Sequence, residues 1–355
     1  MSNKILITAD IHFGLEQKLN DILWAVRTMR EYAAQNGINE VYVLGDLFHD
    51  REKLNIEVLS SVYRFLDEAK EKYAQKWTIF PGNHDMYLRH SWDISALNAL
   101  NKVSVIIDNI KLLNISNRRF WIVPFIQHEQ SYMKIINSLE SKYKDGDILL
   151  THIGVNSASL NVCYLLKNWN IVDFSKSKFN TVISGHFHCH QNAGRGNVWY
   201  PGSPIPFRFD EGMVPHGFIE FNIDDNDIKF IEIFNLNLID GTCPPDYITI
   251  SDDMIDSLSN LNGDNVRIAL SKDYTKDDLL KFRNLTMLSG ASSVKFMKIK
   301  DDTDIAKVDG NISTKSIDNL FEKWLEYDKP KKLDVDLLKQ INYNIINSDV
   351  TKYEC

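Results

Sequence analysis

Cysteine is scarce in this chain of 355 residues, and its placement excludes two readings. Cys163, Cys189, Cys243 and Cys355 form no CxxC pair and keep no regular spacing. A disulfide framework and a paired-cysteine zinc site are therefore set aside, and free thiols in a reducing compartment are expected. Cys189 lies between His188 and His190, yet no second cysteine stands near it, so it reads as a small apolar residue. An excess of positive charge is also missing. The formal net charge is −8, which is not the balance of a protein that coats nucleic acid without selectivity. Bound cations would raise the local charge wherever a phosphate sat. No apolar stretch approaches the length of a membrane span. Met1-Ser2-Asn3-Lys4 leads straight into a strand, without the features of a signal peptide. A soluble, cytoplasmic protein is expected. There is no internal repeat and no long low-complexity stretch.

What the chain does have is a set of short apolar runs, each ending in a residue that can hold a metal ion. Ile5-Leu6-Ile7-Thr8 precedes Asp10 and His12, and Val41-Tyr42-Val43-Leu44 precedes Asp46. Trp77-Thr78-Ile79-Phe80 precedes Asn83-His84-Asp85. Ile148-Leu149-Leu150-Thr151 precedes His152, and Thr181-Val182-Ile183-Ser184 precedes His186 and His188. Such runs, bounded by turn signals, read as buried strands. Between them, Leu19, Ile22, Leu23, Val26 and Met29 recur at helical spacing, with Gly37 closing the helix. Ile56, Leu59, Val62, Tyr63 and Leu66 mark one face of a second helix. This β-α-β-α-β order predicts a largely parallel sheet with helices on both faces, and ligands at the carboxyl ends of its strands.

From about Val103 the pattern turns to strands, interrupted by one helix near residues 129–143. A second sheet packed on the first is expected, giving a two-sheet α/β sandwich over residues 1–240. A break is predicted at Asp240-Gly241-Thr242-Cys243-Pro244-Pro245. Beyond it, a strand at 266–270, a helix capped by Thr275 and Asp278, and a strand at 293–299 form a small α+β unit within residues 241–305. Residues 306–355 read as C-terminal helices. Ile317, Leu320, Phe321, Trp324 and Leu325 form an apolar stripe there, assigned to binding a partner helix.

Taken singly, most of these pieces are ordinary: Asp10-Ile11-His12 is a loop after a strand, and Gly45-Asp46 is a turn. Together they supply Asp, Asn and His at successive strand ends, which suits two divalent cations. Cations about 3.5–4 Å apart clamp a phosphodiester and need a shared carboxylate, and Asp46 is the candidate. Gly45 beside it lets backbone pass where a side chain would collide. Carboxylate mixed with imidazole favours Mn, Fe or Zn over calcium. Cations that activate water directly leave no need for a Ser or Cys nucleophile. His84 is placed to contact the scissile phosphate or protonate the leaving oxygen, with Asp85 orienting its ring. His49 is a second group placed to reach substrate. His90, His128, His190 and His216 read as structural or surface residues.

The motifs Asp10-x-His12, Gly45-Asp46, Gly82-Asn83-His84-Asp85, His152 and Gly185-His186-x-His188 resemble those of the calcineurin-like metallophosphoesterases over about residues 4–235. By that resemblance one metal takes Asp10, His12, Asp46 and His188, and the other takes Asp46, Asn83, His152 and His186. Within the family the chain resembles the SbcD-type nuclease subunit of bacteria and phages. Gly45-Asp46-Leu47-Phe48-His49 with Arg51, then Tyr200-Pro201-Gly202-Ser203, carry this likeness together with the layout beyond residue 240. The resemblance implies a metallophosphoesterase fold with a small DNA-capping domain. It also implies an enzyme that uses two Mn2+, with Mg2+, Fe2+ or Zn2+ as substitutes. It would act as an exonuclease on double-stranded DNA ends and an endonuclease on single strands, in repair, recombination or replication. Its partner would be an SbcC-type coiled-coil ABC ATPase, bound through the terminal helices, and the subunit would form a homodimer. Arg51, Arg89, Arg118, Arg119, Arg195 and Arg208 are the candidate phosphate contacts. Two alternatives remain open: another phosphoesterase, acting on nucleotides or phosphoproteins, and a non-catalytic scaffold on the same fold.

Overall fold

The computed structural model describes residues 3–298 apart from 16–17, 89–90, 157, 159–170, 213, 240–242 and 262. Arg89, His90, Cys163, Cys355 and the stripe from Ile317 to Leu325 lie outside the described residues, as do the centre of the expected domain break and the C-terminal helices.

The first sheet grows from the opening runs. They form β1 (Lys4–Thr8), β2 (Glu40–Leu44), β3 (Lys76–Phe80) and β4 (Val105–Ile106), parallel neighbours in that order. The connections carry α1 (Leu19–Gln35) and α2 (Ile56–Tyr73). The second sheet uses β5 (Lys111–Ile115), β6 (Arg118–Val123) and, after α3 (Glu129–Glu140), β7 (Ile148–His152). A small pair, β8 (Gly154–Val155) with β9 (Ile171–Val172), leads to β10 (Thr181–Gly185), β11 (Gln191–Ala193) and β12 (Val198–Tyr200). Then β13 (Gly217–Asn222) and β14 (Asp227–Glu232) return antiparallel to the free edge of β1. The strand orders are β14-β13-β1-β2-β3-β4 and β11-β12-β10-β7-β6-β5.

Strand alternation decides the layers. Ile5 and Ile7 of β1 join Tyr42, Leu44 and Phe80 against Phe120, Ile122, Ile148, Leu150 and Ile183 of the second sheet. Leu6, Val41, Val43 and Ile79 point the other way, onto α1 and α2. On the outer face of the second sheet, Trp121, Val123, Leu149 and Val182 meet Tyr132, Ile136 and Leu139 of α3. The order is therefore helix, sheet, sheet, helix. The expectation of helices on both faces of the first sheet is corrected: the second sheet occupies one of those faces. The apolar face of α2 is also shifted. Val58, Val62, Phe65, Leu66 and Ala69 are its buried residues, and Ile56, at its first position, is 82% exposed.

Beyond Cys243 a separate three-stranded parallel sheet forms from β15 (Tyr247–Ser251), β16 (Asn265–Leu270) and, after α4 (Lys276–Leu288), β17 (Ser293–Lys298). The predicted capping box is present, with the Thr275 hydroxyl accepting from Asp278 N–H while the Asp278 carboxylate accepts from Thr275 N–H. Among the described residues no helix is long and apolar enough to cross a membrane.

Candidate metal centre

The loops after β1 and β2 run side by side. Asp10 N–H donates to Gly45 O at 3.1 Å, His12 N–H to Asp46 O at 3.0 Å and Phe13 N–H to Leu47 O at 2.8 Å. The pairing of the two strands is thus carried past their ends, and it forces an unusual backbone. Asp10, His12 and Asp46 have φ of 53°, 54° and 54°, in the left-handed region. Each such residue costs on the order of 1–3 kcal/mol and persists only when its surroundings over-determine it. The neighbouring Gly45, at φ 87°, has no room for a side chain, since a β-carbon there would overlap His152 Nδ1 and the Gly82 backbone.

The result is a convergence at the carboxyl ends of both sheets. Asp10, buried, accepts the His186 N–H at 3.0 Å. Asn83 Oδ1 lies 3.1 Å from His152 Nε2 and 3.0 Å from His186 Nδ1. Asp46 Oδ2 stands 3.4 Å from His152 Nε2 and 3.9 Å from His12 Nε2. His12 Nε2 and His188 Nε2 lie 3.1 Å apart. The expected metal ligands Asp10, His12, Asp46, Asn83, His152, His186 and His188 are thus brought together. Ligand atoms of Asp10, His12 and His188, and those of Asp10, Asp46 and His152, fall within 4.8 Å of one another.

The hydrogen bonds behind the ligands fit cations. His152 Nδ1 faces Leu44 O at 2.7 Å, and His188 Nδ1 faces the Glu211 carboxylate at 2.8 Å. Each bond holds the proton on the outer nitrogen and turns the Nε2 lone pair inward. Burial disfavours ionisation of Asp46, but His152, His12 and His84 outweigh it and hold the carboxyl well below the usual range. Burial pushes Asp10 up to about 6, against the pull of His152 and His188. Burial and the neighbouring His152 bring His186 down to about 3. Burial also lowers His152, but Asp46 and Asp10 outweigh it and raise the ring to about 9. A divalent cation among these groups would replace that proton as the counter-charge to the carboxylates.

The expected catalytic groups divide. His84 and His49 line the cleft beside the ligands, with rings stacked at 5.4 Å. His84 Nδ1 faces His49 O at 2.6 Å, so Nε2 is the nitrogen available to a substrate. His49 Nδ1 lies 3.4 Å from His12 Nδ1. Asp85 does not orient His84, and that expectation is corrected. Its buried carboxylate accepts N–H groups from Gly82, Leu47 and Phe48 at 3.0, 3.2 and 2.9 Å, tying the Asn83 loop to the Asp46 loop.

The arginines divide as well. Arg208 lines the cleft. Arg51 is not among the lining residues, although Asp50 and Lys53 on either side are. Arg118, Arg119 and Arg195 are corrected outright. Arg118 donates to Ile223 O and Asp224 O, Arg119 to Lys142 O and Asp147, and Arg195 to Ser177 O and Asn180. These partners lie at the amino ends of the parallel strands, opposite the site. Sequence reasoning missed Lys18, Lys53, Phe207 and Tyr247, which line the cleft, and Glu211, which holds His188. Of the histidines set aside, His190 stacks on Phe230 and His216 is buried against Ser203 and Glu211, both structural as expected. Burial pushes the Cys189 thiol up to about 11.

The sequence profile described as calcineurin-like phosphoesterase matches residues 3–190. The chain belongs to the calcineurin-like phosphoesterase family. Putative phosphoesterase 078R of Invertebrate iridescent virus 3 is 24% identical over 330 residues, covering 90% of this chain and 91% of that protein. Putative phosphoesterase 244L of Invertebrate iridescent virus 6 is 26% identical over 216 residues, 59% of this chain and 72% of that protein. Exonuclease subunit 1 of Enterobacteria phage T4 is 25% identical over 252 residues, 64% of this chain and 67% of that protein. Membership in this phosphoesterase family supports hydrolysis of phosphoesters, and the Asp and His cluster at the strand ends is one that could bind metal ions.

Proposed function

We propose that this phosphoesterase is the nuclease subunit of a DNA-processing complex, a Mn2+-dependent double-strand exonuclease and single-strand endonuclease. The observation that carries the reading is the cleft. About 1030 Å³ in volume, it holds Asp46, Asn83, His12, His186 and His188 beside His84 and His49, and Lys18, Lys53 and Arg208 line it. A phosphomonoester needs far less room, and Lys53, with Lys18 beside Asp21 and Arg208 beside Asp210 and Glu211, offers positive groups to a chain of phosphates. The likeness to the phage T4 exonuclease subunit points the same way.

Asp10, His12, Asp46 and His188 would hold one cation, and Asp46, Asn83, His152 and His186 the other. When bound, the pair supplies Lewis-acid activation of water and offsets the charge of the phosphate. The chain's own groups do the rest. Lys18, Lys53 and Arg208 hold the diester backbone by charge. His84, fixed through Nδ1 by the His49 carbonyl, presents Nε2 to the phosphate or to the leaving oxygen. Asp85 keeps the Asn83 and Asp46 loops in register. The proposal includes an SbcC-type ABC ATPase as partner, gripped through Ile317 to Leu325, and a homodimer.

The test is end-labelled duplex DNA with Mn2+, with and without a coiled-coil ATPase and ATP, beside a small phosphodiester. Degradation of the DNA supports the proposal. Rapid turnover of the small ester with intact DNA would assign the chain to another branch of the family.

A further inference from the structure

The turn after Pro206 meets the metal centre at Phe207 and Glu211 and the small sheet at Phe209 and Gly212. Glu211, fully buried, faces His188 Nδ1 at 2.8 Å and accepts the Phe207 N–H at 2.8 Å and the Arg208 guanidinium at 3.0 Å. Two residues earlier, Phe209 reaches the three-stranded sheet. Its ring sits 5.0 Å from the Tyr247 ring in an edge-on arrangement, with the Arg267 guanidinium at 5.1 Å and the Lys295 ammonium at 5.7 Å over its face. Each strand of the sheet supplies one of these three residues. The register places Arg267 between Thr249 and Lys295, and Tyr247 shares the Thr249 face of β15.

The two faces of that sheet differ. Ile250, Val266, Ile268, Leu270 and Val294 pack toward Leu279, Phe282 and Leu285 of α4. The other face carries Tyr247, Thr249, Arg267 and Lys295, and an aromatic ring laid against cations is a contact such a face can grip. The turn is seated closely. A β-carbon on Gly212 would overlap the Tyr247 carbonyl oxygen, so only glycine lets the backbone approach. Within the turn, Glu211 N–H and Gly212 N–H both donate to Arg208 O, at 3.0 and 3.1 Å. Phe209 and Glu211 therefore belong to one tight unit.

We propose that Phe209 is a positioning residue for the His188 half of the metal centre. The small sheet holds the ring, the ring holds the 207–212 turn, and the turn holds Glu211 against His188. How the sheet is seated then sets how tightly that half of the centre binds a divalent cation. The proposal rests on the metal-dependent reading above and adds to it a control point at Phe209, which is not among the residues lining the cleft.

The experiment is Mn2+ titration by calorimetry on the full chain, with thermal unfolding in EDTA as the control for folding. The intact protein should bind two Mn2+. In Phe209→Ala one of the two should bind about tenfold more weakly, within the range seen when a partner behind a metal ligand is removed. The other should be unchanged, and Phe209→Trp should restore the first. Glu211→Gln should weaken the same cation, and the double variant should lose no more than Glu211→Gln alone, because both act through one carboxylate. If Phe209→Ala fails to fold, Arg267→Gln with Lys295→Gln changes no residue of the turn, loosens only the grip on the ring, and carries the same expectation. Unchanged affinities in a folded variant, or losses that multiply in the double variant, would overturn the positioning role and leave the metal centre standing. An intact protein that binds no Mn2+ would overturn both.

Discussion

The Nε2 atoms of His12 and His188 face each other across 3.1 Å. The outer nitrogen of His188 is committed to Glu211, and that of His12 stands against His49. Two inward lone pairs at this distance repel unless a proton or a cation lies between them. In the same cluster His152 is raised to about 9, so near neutral pH it carries a proton that a cation must displace. Mn2+ binding should therefore release protons and tighten as pH rises. Calorimetry in two buffers of different ionisation enthalpy reads this directly, and equal heats in both would contradict it. At a free concentration of 100 times Kd, one bound cation should stabilise the fold by about 2.7 kcal/mol.

His84 N–H donates to Asp46 Oδ1 at 2.8 Å, and its ring packs edge-on to His12 at 4.9 Å with Nδ1 against His49 O. Its Nε2 is left to face substrate. Replacing His84 with alanine should lower cleavage by about 10²–10⁴-fold while both Mn2+ still bind. A His84→Ala protein with unimpaired turnover would remove the ring from the chemistry.

Gly45→Ala combines two penalties, a left-handed backbone and a β-carbon overlapping His152 Nδ1. The backbone term alone exceeds about 1 kcal/mol, and the overlap falls on a metal ligand. Denaturant unfolding should show a loss of several kcal/mol, on the order of a severe core substitution, together with weaker Mn2+ binding. A variant of normal stability would mean that the loop can shift without consequence.

Glu211 gives an acid-side signature in the metal-free protein. Burial opposes its ionisation, but His188 and Arg208 outweigh it and bring the carboxyl from an ordinary 4.5 down to about 2. A carboxyl depressed in the folded state stabilises it fully above its unfolded value, and that contribution is lost as pH falls through the folded value. The window is therefore about 4.5 down to 2, and the contribution is on the order of 3 kcal/mol. Glu211→Gln should flatten the stability curve across that window in EDTA. An acid limb of unchanged slope would show that the pairing contributes nothing.

Much of the centre was legible because each ligand follows a four-residue apolar run, and parallel strands deliver their carboxyl ends to one side. The residues that escaped are those whose roles depend on tertiary turns. Nothing beside Glu211 in sequence points to His188, and Asp85 looks like a partner of His84 until three backbone N–H groups claim it. The arginines failed for a simpler reason. Arg118 and Arg119 open β6, so strand polarity alone places them away from the site. Ile56 shares the spacing of Leu59 and Val62 but opens α2, and the buried face is set by Val58, Val62 and Phe65.

The left-handed, buried Asp10 has a consequence for how such a protein can change over time. Its carboxyl is pushed up to about 6 mainly by burial, so near neutral pH the ionised form opposes folding until a cation arrives. Asparagine tolerates the same backbone and can still accept the His186 N–H. Asp10→Asn should therefore melt higher than the parent in EDTA while losing its grip on the ion. Selection for sturdiness and selection for chemistry pull this position in opposite directions, and an inactive descendant lies one substitution away.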